Sequence, residues 1–488
     1  MVVTKMRWAA DDDDLRLPGG RQSPSLGILA FEAAATMAKL LSLHRSLLEK
    51  EVARLRSHTM RAAGVEYLSS TDQAFLLRLA CAEAVAALDA AAASVARLGV
   101  RCGLDFAGPY ASLKTGAPDA RLDQFVAKGL KVKARKMERF VAATAKLCAE
   151  MEALDELEVA EQKLSRRGWG RLSGPIPAPG AGDALGSDVL RLDIRAQRAR
   201  VRRLKEESLW SQSYEKAVIL MARAACALFV RVCVVFGAYV PGLPPPLPSA
   251  NAVHSRLSKL LLHPMSAAAA QPKSLSGPIQ RRDVSLRIEM SSSSCPIIRS
   301  HWQQPGQTSP TGADWRKLLE PPPGTVGGAG LDLQYANVIT TAERLLLETE
   351  TEGRHEDARA ELYAMLPSKL RAAVRAKLRG WWKERAGGGG AAPVLELDAG
   401  LAEGWRSAAG RILAWLAPMA RDTARWHAER SMDRQRRFKV GGGARAWALQ
   451  TLRWADAENA EAAVVELLVA LSCVCWYEDR RREASLRF

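Results

Sequence analysis

Histidine, cysteine and carboxylate side chains supply most metal sites and acid–base pairs, and in this sequence they stand apart from one another. The seven histidines are scattered; no HExxH occurs, and no Cys/His group has the spacing of a zinc site. His427 lies in Trp-His-Ala-Glu-Arg, one helical turn from polar residues, where a surface or capping role suits it better than ligation. The run Asp11 to Asp14 lacks the alternating ligands and the glycine of a calcium loop, and reads as a solvated acidic tail. Gly324 to Gly330 precedes a helix, where N–H groups can meet an anion. No Gly-Lys-Ser/Thr follows it, and prolines rather than a strand precede it, so a phosphate loop is not indicated. Nothing matches a Gly-x-Ser-x-Gly elbow or the kinase signatures. The expectation is a non-enzyme with no catalytic residue, no metal and no cofactor. An enzyme assembled from dispersed residues is the minority reading.

What remains is electrostatic. Seventy Lys and Arg against 53 Asp and Glu leave a formal charge of +17. Such a surplus draws phosphates, acidic protein surfaces or anionic lipid headgroups, and equally arises from solvated arginine faces. The basic residues concentrate at Lys128 to Arg139, Arg191 to Lys205, Lys369 to Arg385 and Arg421 to Lys439. Within the third group, Arg371, Arg375, Arg379 and Lys383 recur at four-residue steps, one face of a helix. They are the candidate partner-binding residues. The second group is dense enough for a nuclear-import or nucleic-acid patch. Trp381-Trp382 beside Arg379 and Lys383 has the aromatic-plus-basic mix of a strand-binding surface, although helical spacing favours core tryptophan flanked by a solvated face. The expected partners are therefore acidic or phosphorylated proteins, with nucleic acid or an anionic membrane surface as the alternative.

The elements that carry these residues are helices. Alanine-rich runs such as Ala84 to Ala93 favour helix because Ala loses no side-chain entropy there. Leu29, Met37, Leu40, Leu41, Leu47, Leu48, Val52 and Leu55 recur at three- and four-residue steps. Ser70 and Gln73 form a capping-box pattern that opens a second helix ending at Gly99. Long helices are expected over about 122–166 and 188–238, paired as an antiparallel hairpin so that each covers the other's apolar stripe, with a coiled-coil dimer as the rival. Helices over about 398–436 and 444–482 follow. Most of the eight cysteines lie among apolar residues without CxxC spacing, which suits free thiols in a reducing compartment. The apolar stretch 217–240 is interrupted by Arg223 and Arg231, each costing about 2.5–3.5 kcal/mol at mid-membrane, so a core helix rather than a span is expected. No secretory signal is expected either.

The organisation is a disordered acidic tail (1–24), an N-terminal helical domain (25–105), a long helical hairpin (120–238), a disordered linker (241–326) and a C-terminal helical domain (327–483). The linker assignment rests on its 14 of the chain's 24 prolines and the serine run at 291–294. The fold class is all-α: helical bundle modules with long antiparallel helices, joined by a Pro/Ser-rich linker.

Several segments resemble one family in the same order. AFEAAATMAKLLSLHRSL (30–47) with Ser-Thr-Asp (70–72) is similar to the N-terminal domain of the plant phytosulfokine-simulator family. SLWSQSYEKAV (208–218) and Val-Phe-Gly (235–237) resemble its middle region. LDLQYANVI (331–339), Leu-Pro (366–367), WHAERSMDRQRR (426–437) and LQTLRWADAE (449–458) resemble its C-terminal domain. Both domains are of unknown function. The resemblance implies a growth-promoting plant protein linked to phytosulfokine peptide-hormone signalling, with no catalytic residues. Cytoplasm, nucleus or the periphery of the plasma membrane are the expected locations. The chain departs from the family pattern at residue 2, a valine where some relatives carry a myristoylation-type glycine, and at 332–334, Asp-Leu-Gln where Ala-Leu-His is usual.

Overall fold

The computed structural model describes residues 25–125, 129–170, 181–240, 314–348, 355–386, 399–430 and 445–485. The acidic tail at 1–24 and the linker up to residue 313 lie outside the described residues, as do the glycine runs Gly387 to Gly390 and Gly441 to Gly443. The described chain is helical, with no strand among the described residues and two isolated bridges, Ser25 to Ser213 and Thr325 to Asp456.

The N-terminal half contains α1 (Ala30–Ser46), α2 (Glu49–Ser57), α3 (Ala63–Leu68), α4 (Gln73–Val100), α5 (Ala107–Thr115), α6 (Leu130–Gly170), α7 (Ala181–Glu207) and α8 (Tyr214–Phe236). The leucine series at 29–55 is two helices rather than one, because Leu48 turns to an extended conformation between them. Asp72, not Ser70, caps α4: its carboxylate accepts the Ala74 N–H at 2.8 Å, and Ser70 Oγ accepts the Asp72 N–H at 3.0 Å. The helix expected over 188–238 divides at Ser208, whose hydroxyl accepts the Trp210 N–H at 3.3 Å, and the Leu209 N–H is taken by the buried Thr144 hydroxyl of α6. That break separates α8 from α7. Helix α8 joins α1 and α4 in one core around Met37, Leu40, Leu76, Leu88, Val218, Met221 and Phe229, all nearly inaccessible. α6 and α7 pair antiparallel, as Gln197 with Glu150 and Arg191 with Glu161 show.

The C-terminal half contains α9 (Asp314–Leu318), α10 (Asp332–Glu348), α11 (His355–Met365), α12 (Ser368–Ala386), α13 (Ala399–Arg430) and α14 (Ala457–Ser485). Its core gathers Tyr335, Ile339, Leu345, Leu370, Leu416, Val464 and Leu467. The described part of the stretch 241–326 (residues 314–326) belongs to the fold: α9 packs beside α4, and Val326 is buried in the C-terminal core. Here the glycine-rich stretch has a mechanical explanation. Val326 N donates to Ala455 O at 2.9 Å and Gly327 N to Arg453 O at 3.1 Å. A Cβ on Gly327 would stand 2.4 Å from Arg453 O and 2.8 Å from its Cα. Two backbones can run this close only because no side chain intervenes. Gly327→Ala is therefore expected to destabilise the chain by about 1–3 kcal/mol, as overpacking against unyielding backbone does. A urea midpoint unchanged from that of the wild type would refute this account.

Three described helices, Gln73–Val100, Tyr214–Phe236 and the stretch Ala457–Glu483, are long and apolar enough to cross a membrane by length and composition. In this fold each runs through a core, with 61–67% of its most apolar window covered by protein.

Candidate functional site

The densest set of buried charged groups lies where the two halves meet. α4 must present an apolar face to α1 and α8, yet it places a glutamate, Glu83, amid Leu79, Ala80, Cys81, Ala84 and Val85. A lone carboxylate there would be very costly to bury. Glu83 is instead saturated from the C-terminal half. Its Oε1 accepts from Trp426 Nε1 at 3.0 Å and from Arg445 Nη2 at 2.9 Å, and also from Arg430 Nη2. Its Oε2 accepts the Ala448 N–H at 2.7 Å. Burial alone pushes the carboxyl up, but Arg445 and Arg430, with the Ala448 and Trp426 donors, together hold it below its ordinary value. Burial likewise draws the Arg430 guanidinium down to about 10, with Glu83 opposing, which leaves it charged at neutral pH.

Trp426 is the hub of a second layer. The Arg430 guanidinium lies 3.8 Å and that of Arg453 5.2 Å from its ring centroid. Arg453 Nη1 is 3.7 Å from Asp332 Oδ2, and His427 Nε2 is 2.8 Å from the same oxygen. Asp332 opens α10 and is buried, so it also meets the positive end of that helix. His427 is thus not a free surface group: it pairs with a buried carboxylate across two helices. Beneath this layer Thr423 Oγ1 donates to Met419 O at 2.7 Å and accepts the Leu452 N–H at 2.9 Å.

The halves interlock around this clamp. Leu68 of α3 packs in the C-terminal core, while Trp447, Ala448, Leu449 and Trp454 pack in the N-terminal one. Leu68 O accepts the Asp456 N–H at 2.7 Å, and Tyr67 meets Trp415 edge-on at 5.3 Å. A Cβ on Gly64 would stand 2.6 Å from Met419 Sδ and 2.8 Å from Trp415 O, so α3 and α13 touch where glycine permits.

Residues 28–84 match a family model described as a domain of unknown function (DUF3475), and residues 325–425 match a protein of unknown function (DUF668). The two matches occupy opposite sides of the junction. The chain is 25% identical over 476 residues to Protein PSK SIMULATOR 1 of Arabidopsis thaliana, covering 94% of the chain and 58% of the relative. The chain is similar to the PSK SIMULATOR proteins. PSK SIMULATOR 3 of the same plant is 24% identical over 406 residues, covering 82% of the chain and 48% of the relative. PSK SIMULATOR 2 is 26% identical over 223 residues, 43% of the chain and 33% of the relative. The chain thus spans at most about three fifths (58%) of the PSK SIMULATOR relatives it matches. No solved structure matches it.

The sequence-predicted residues all lie on α12, away from the clamp. The α12 face opposite them is seated in the C-terminal core by Leu370 and Val374. Arg371 Nη2 donates to the carbonyls of Tyr363 and Leu366, each at 3.2 Å, at the end of α11. The guanidinium groups of Arg371 and Arg375 lie 4.9 and 5.3 Å from the Tyr363 ring centroid. Arg371 is therefore engaged in holding α11 to α12, whereas Arg375, Arg379 and Lys383 are exposed. Trp381 packs edge-on against Trp405 at 6.2 Å. Among the described residues no group of three or more His, Cys, Asp or Glu is placed to hold a metal. The thiols of Cys81, Cys226 and Cys233 are pushed up to about 12 by burial and are not thiolates at neutral pH. Sequence reasoning missed Glu83. Its signal was a single glutamate inside an Ala-, Leu- and Cys-rich helix, which needs cationic partners from elsewhere in the chain.

Proposed function

We propose that the chain is a non-enzymatic plant signalling protein, an adaptor that promotes growth in connection with phytosulfokine peptide-hormone signalling. It acts in the cytoplasm or nucleus, or peripherally at the plasma membrane. The regulatory context comes from the PSK SIMULATOR relatives, and the adaptor role from the α12 face. That face carries Arg375, Arg379 and Lys383 on one side of a helix whose other side is seated in the core. A row of cations on one helix face suits an acidic or phosphorylated partner through charge-assisted bonds. The clamp supports the non-enzymatic reading: the Glu83 carboxylate is taken up by Arg430, Arg445, Trp426 and the Ala448 N–H. The helical units at 25–105, 120–238 and 327–483 act as one body together with residues 314–326, and the three long apolar helices are core elements rather than spans.

Proximity labelling in growing plant cells tests this, comparing the full chain with an R379E/K383E variant. Membrane-receptor and growth-signalling proteins are expected to dominate the labelled set and to fall several-fold in the variant. Equal labelling would reduce the row to a solvated face. Dominance by chromatin or RNA-processing proteins would favour a nucleic-acid binder, and the binding would then weaken steeply with salt. Trp381 argues against that alternative, because its ring is packed on Trp405 rather than offered to a base.

A further inference from the structure

The α6–α7 hairpin carries a second basic surface, unrelated to the α12 face. Arg191, Arg195, Arg198, Arg202 and Lys205 follow one another at steps of four, three, four and three residues, so they form one stripe along α7. Three of these cations have internal partners. Arg198 pairs with Glu158 at 2.9 Å, Arg191 approaches Glu161 and Asp188 at 3.7 Å, and the Lys205 ammonium lies 4.3 Å from the Trp210 ring centroid. Arg195 and Arg202 are exposed and make no ion pair among the described residues. Asp193, Glu206 and Glu207 are the acidic residues that share α7 between Arg191 and its end.

The point where the described chain begins lies at the base of this stripe. Ser25 bridges Ser213, and Leu26 N donates to Gln212 O at 3.1 Å, a few residues past the end of α7. Phe31 meets Trp210 edge-on at 6.0 Å, the ring under Lys205. α1 runs antiparallel to α6, with Arg45 on Glu138 and Phe31 against the Leu147, Val201 and Leu204 cluster, so its N-terminal end points along the hairpin. Eleven residues before Ser25 stands the last of four consecutive aspartates, Asp11 to Asp14. Eleven residues reach up to about 36–40 Å when extended. The stripe from Lys205 to Arg191 is only about 21 Å long at helical rise. The basic residues of the same segment, Lys5, Arg7, Arg16 and Arg21, all lie outside the aspartate run, leaving four adjacent negative charges.

We propose that the Asp11–Asp14 run docks on the α7 stripe at Arg195 and Arg202, so that the chain covers its own second basic surface. The contact is intramolecular and electrostatic. Anionic partners of α7 must compete with it, and added salt releases it, because the pairing is solvent-exposed.

Zero-length carbodiimide cross-linking of the full chain carrying R195K and R202K tests the contact, read by mass spectrometry on the monomer band. These substitutions keep the charge and add reactive amines on an exposed face. Cross-links from the 11–14 carboxylates to positions 195 and 202 are expected to exceed those to Lys377 and Lys383 on α12 at least several-fold. They should vanish at high salt and when Asp11 to Asp14 are changed to Asn. Equal yields on α7 and α12, or links found only between chains, would overturn the proposal. Far-ultraviolet circular dichroism matching that of the wild type confirms that the variant is folded before either result is read.

Discussion

Glu83→Ala is expected to lower the stability of the whole chain by about 3–5 kcal/mol, the usual effect of removing one member of a buried, hydrogen-bonded charge set. The cost is the stranding of the Arg445 and Arg430 guanidinium groups and the Ala448 N–H, rather than the loss of one contact. A urea midpoint shift equivalent to less than 1 kcal/mol would show that the clamp is not what joins the halves. Replacing the set together, E83L with R430M and R445M, should recover much of the loss, because an apolar core of similar volume avoids the desolvation of all three ions. The acid dependence has a definite sign. Glu83 has a folded-state pKa below its ordinary 4.5, so its contribution is fully present above that value and is lost as pH falls through the lower folded-state pKa. The stability gap between wild type and E83Q should therefore hold from neutral pH down to about 4.5 and narrow below it. Asp422 and Glu429, both raised chiefly by burial, act in the opposite direction and gain stability as pH falls. For that reason the Glu83 effect must be read as a difference between variants, not from the wild-type curve alone.

The all-α class, the antiparallel hairpin and the family resemblance were legible because each rests on local pattern: helical spacing, alanine content and contiguous motifs. The helix breaks were less so. Leu48 and Ser208 interrupt apolar series that continue in register on both sides, and what ends the second helix is partly Thr144, a residue 65 positions from the Leu209 N–H it accepts. The N-cap was misread by two residues because Ser70 and Asp72 both suit the role, and only geometry separates them. The junction was illegible for a stronger reason. Glu83 is separated by more than 340 residues from Trp426, Arg430 and Arg445, so no window of sequence contains both sides of the clamp. The roles of Gly64 and Gly327 have no local sign and appear only when Met419 and Arg453 are brought against them. Arg371 has a second, structural role that spacing does not show. Its four-residue spacing from Arg375 was correctly seen, but the carbonyls that occupy it come from the end of the preceding helix.

Trp447→Ala is expected to match the clamp in size, costing about 3–5 kcal/mol, as loss of a large buried aromatic does. Trp447 is 4% exposed and meets Phe236 edge-on at 6.4 Å, so a residue from beyond α13 completes the core of α4 and α8. The diagnostic is where the damage appears. If the halves form one cooperative body, native-state hydrogen exchange should quicken across 73–100 and 214–236 as well as around the substitution. If they are independent modules that merely share a chain, exchange should quicken only in 399–485, and two unfolding transitions should separate. The first outcome also bears on function. A partner seated on α12 would then stabilise the distant N-terminal half by the free energy of its binding, because the same interlocked unit must open for either half to unfold. Leu68 in one core and Trp447 in the other make that coupling the expected behaviour, since neither half can part from its neighbour without exposing a buried side chain of its own.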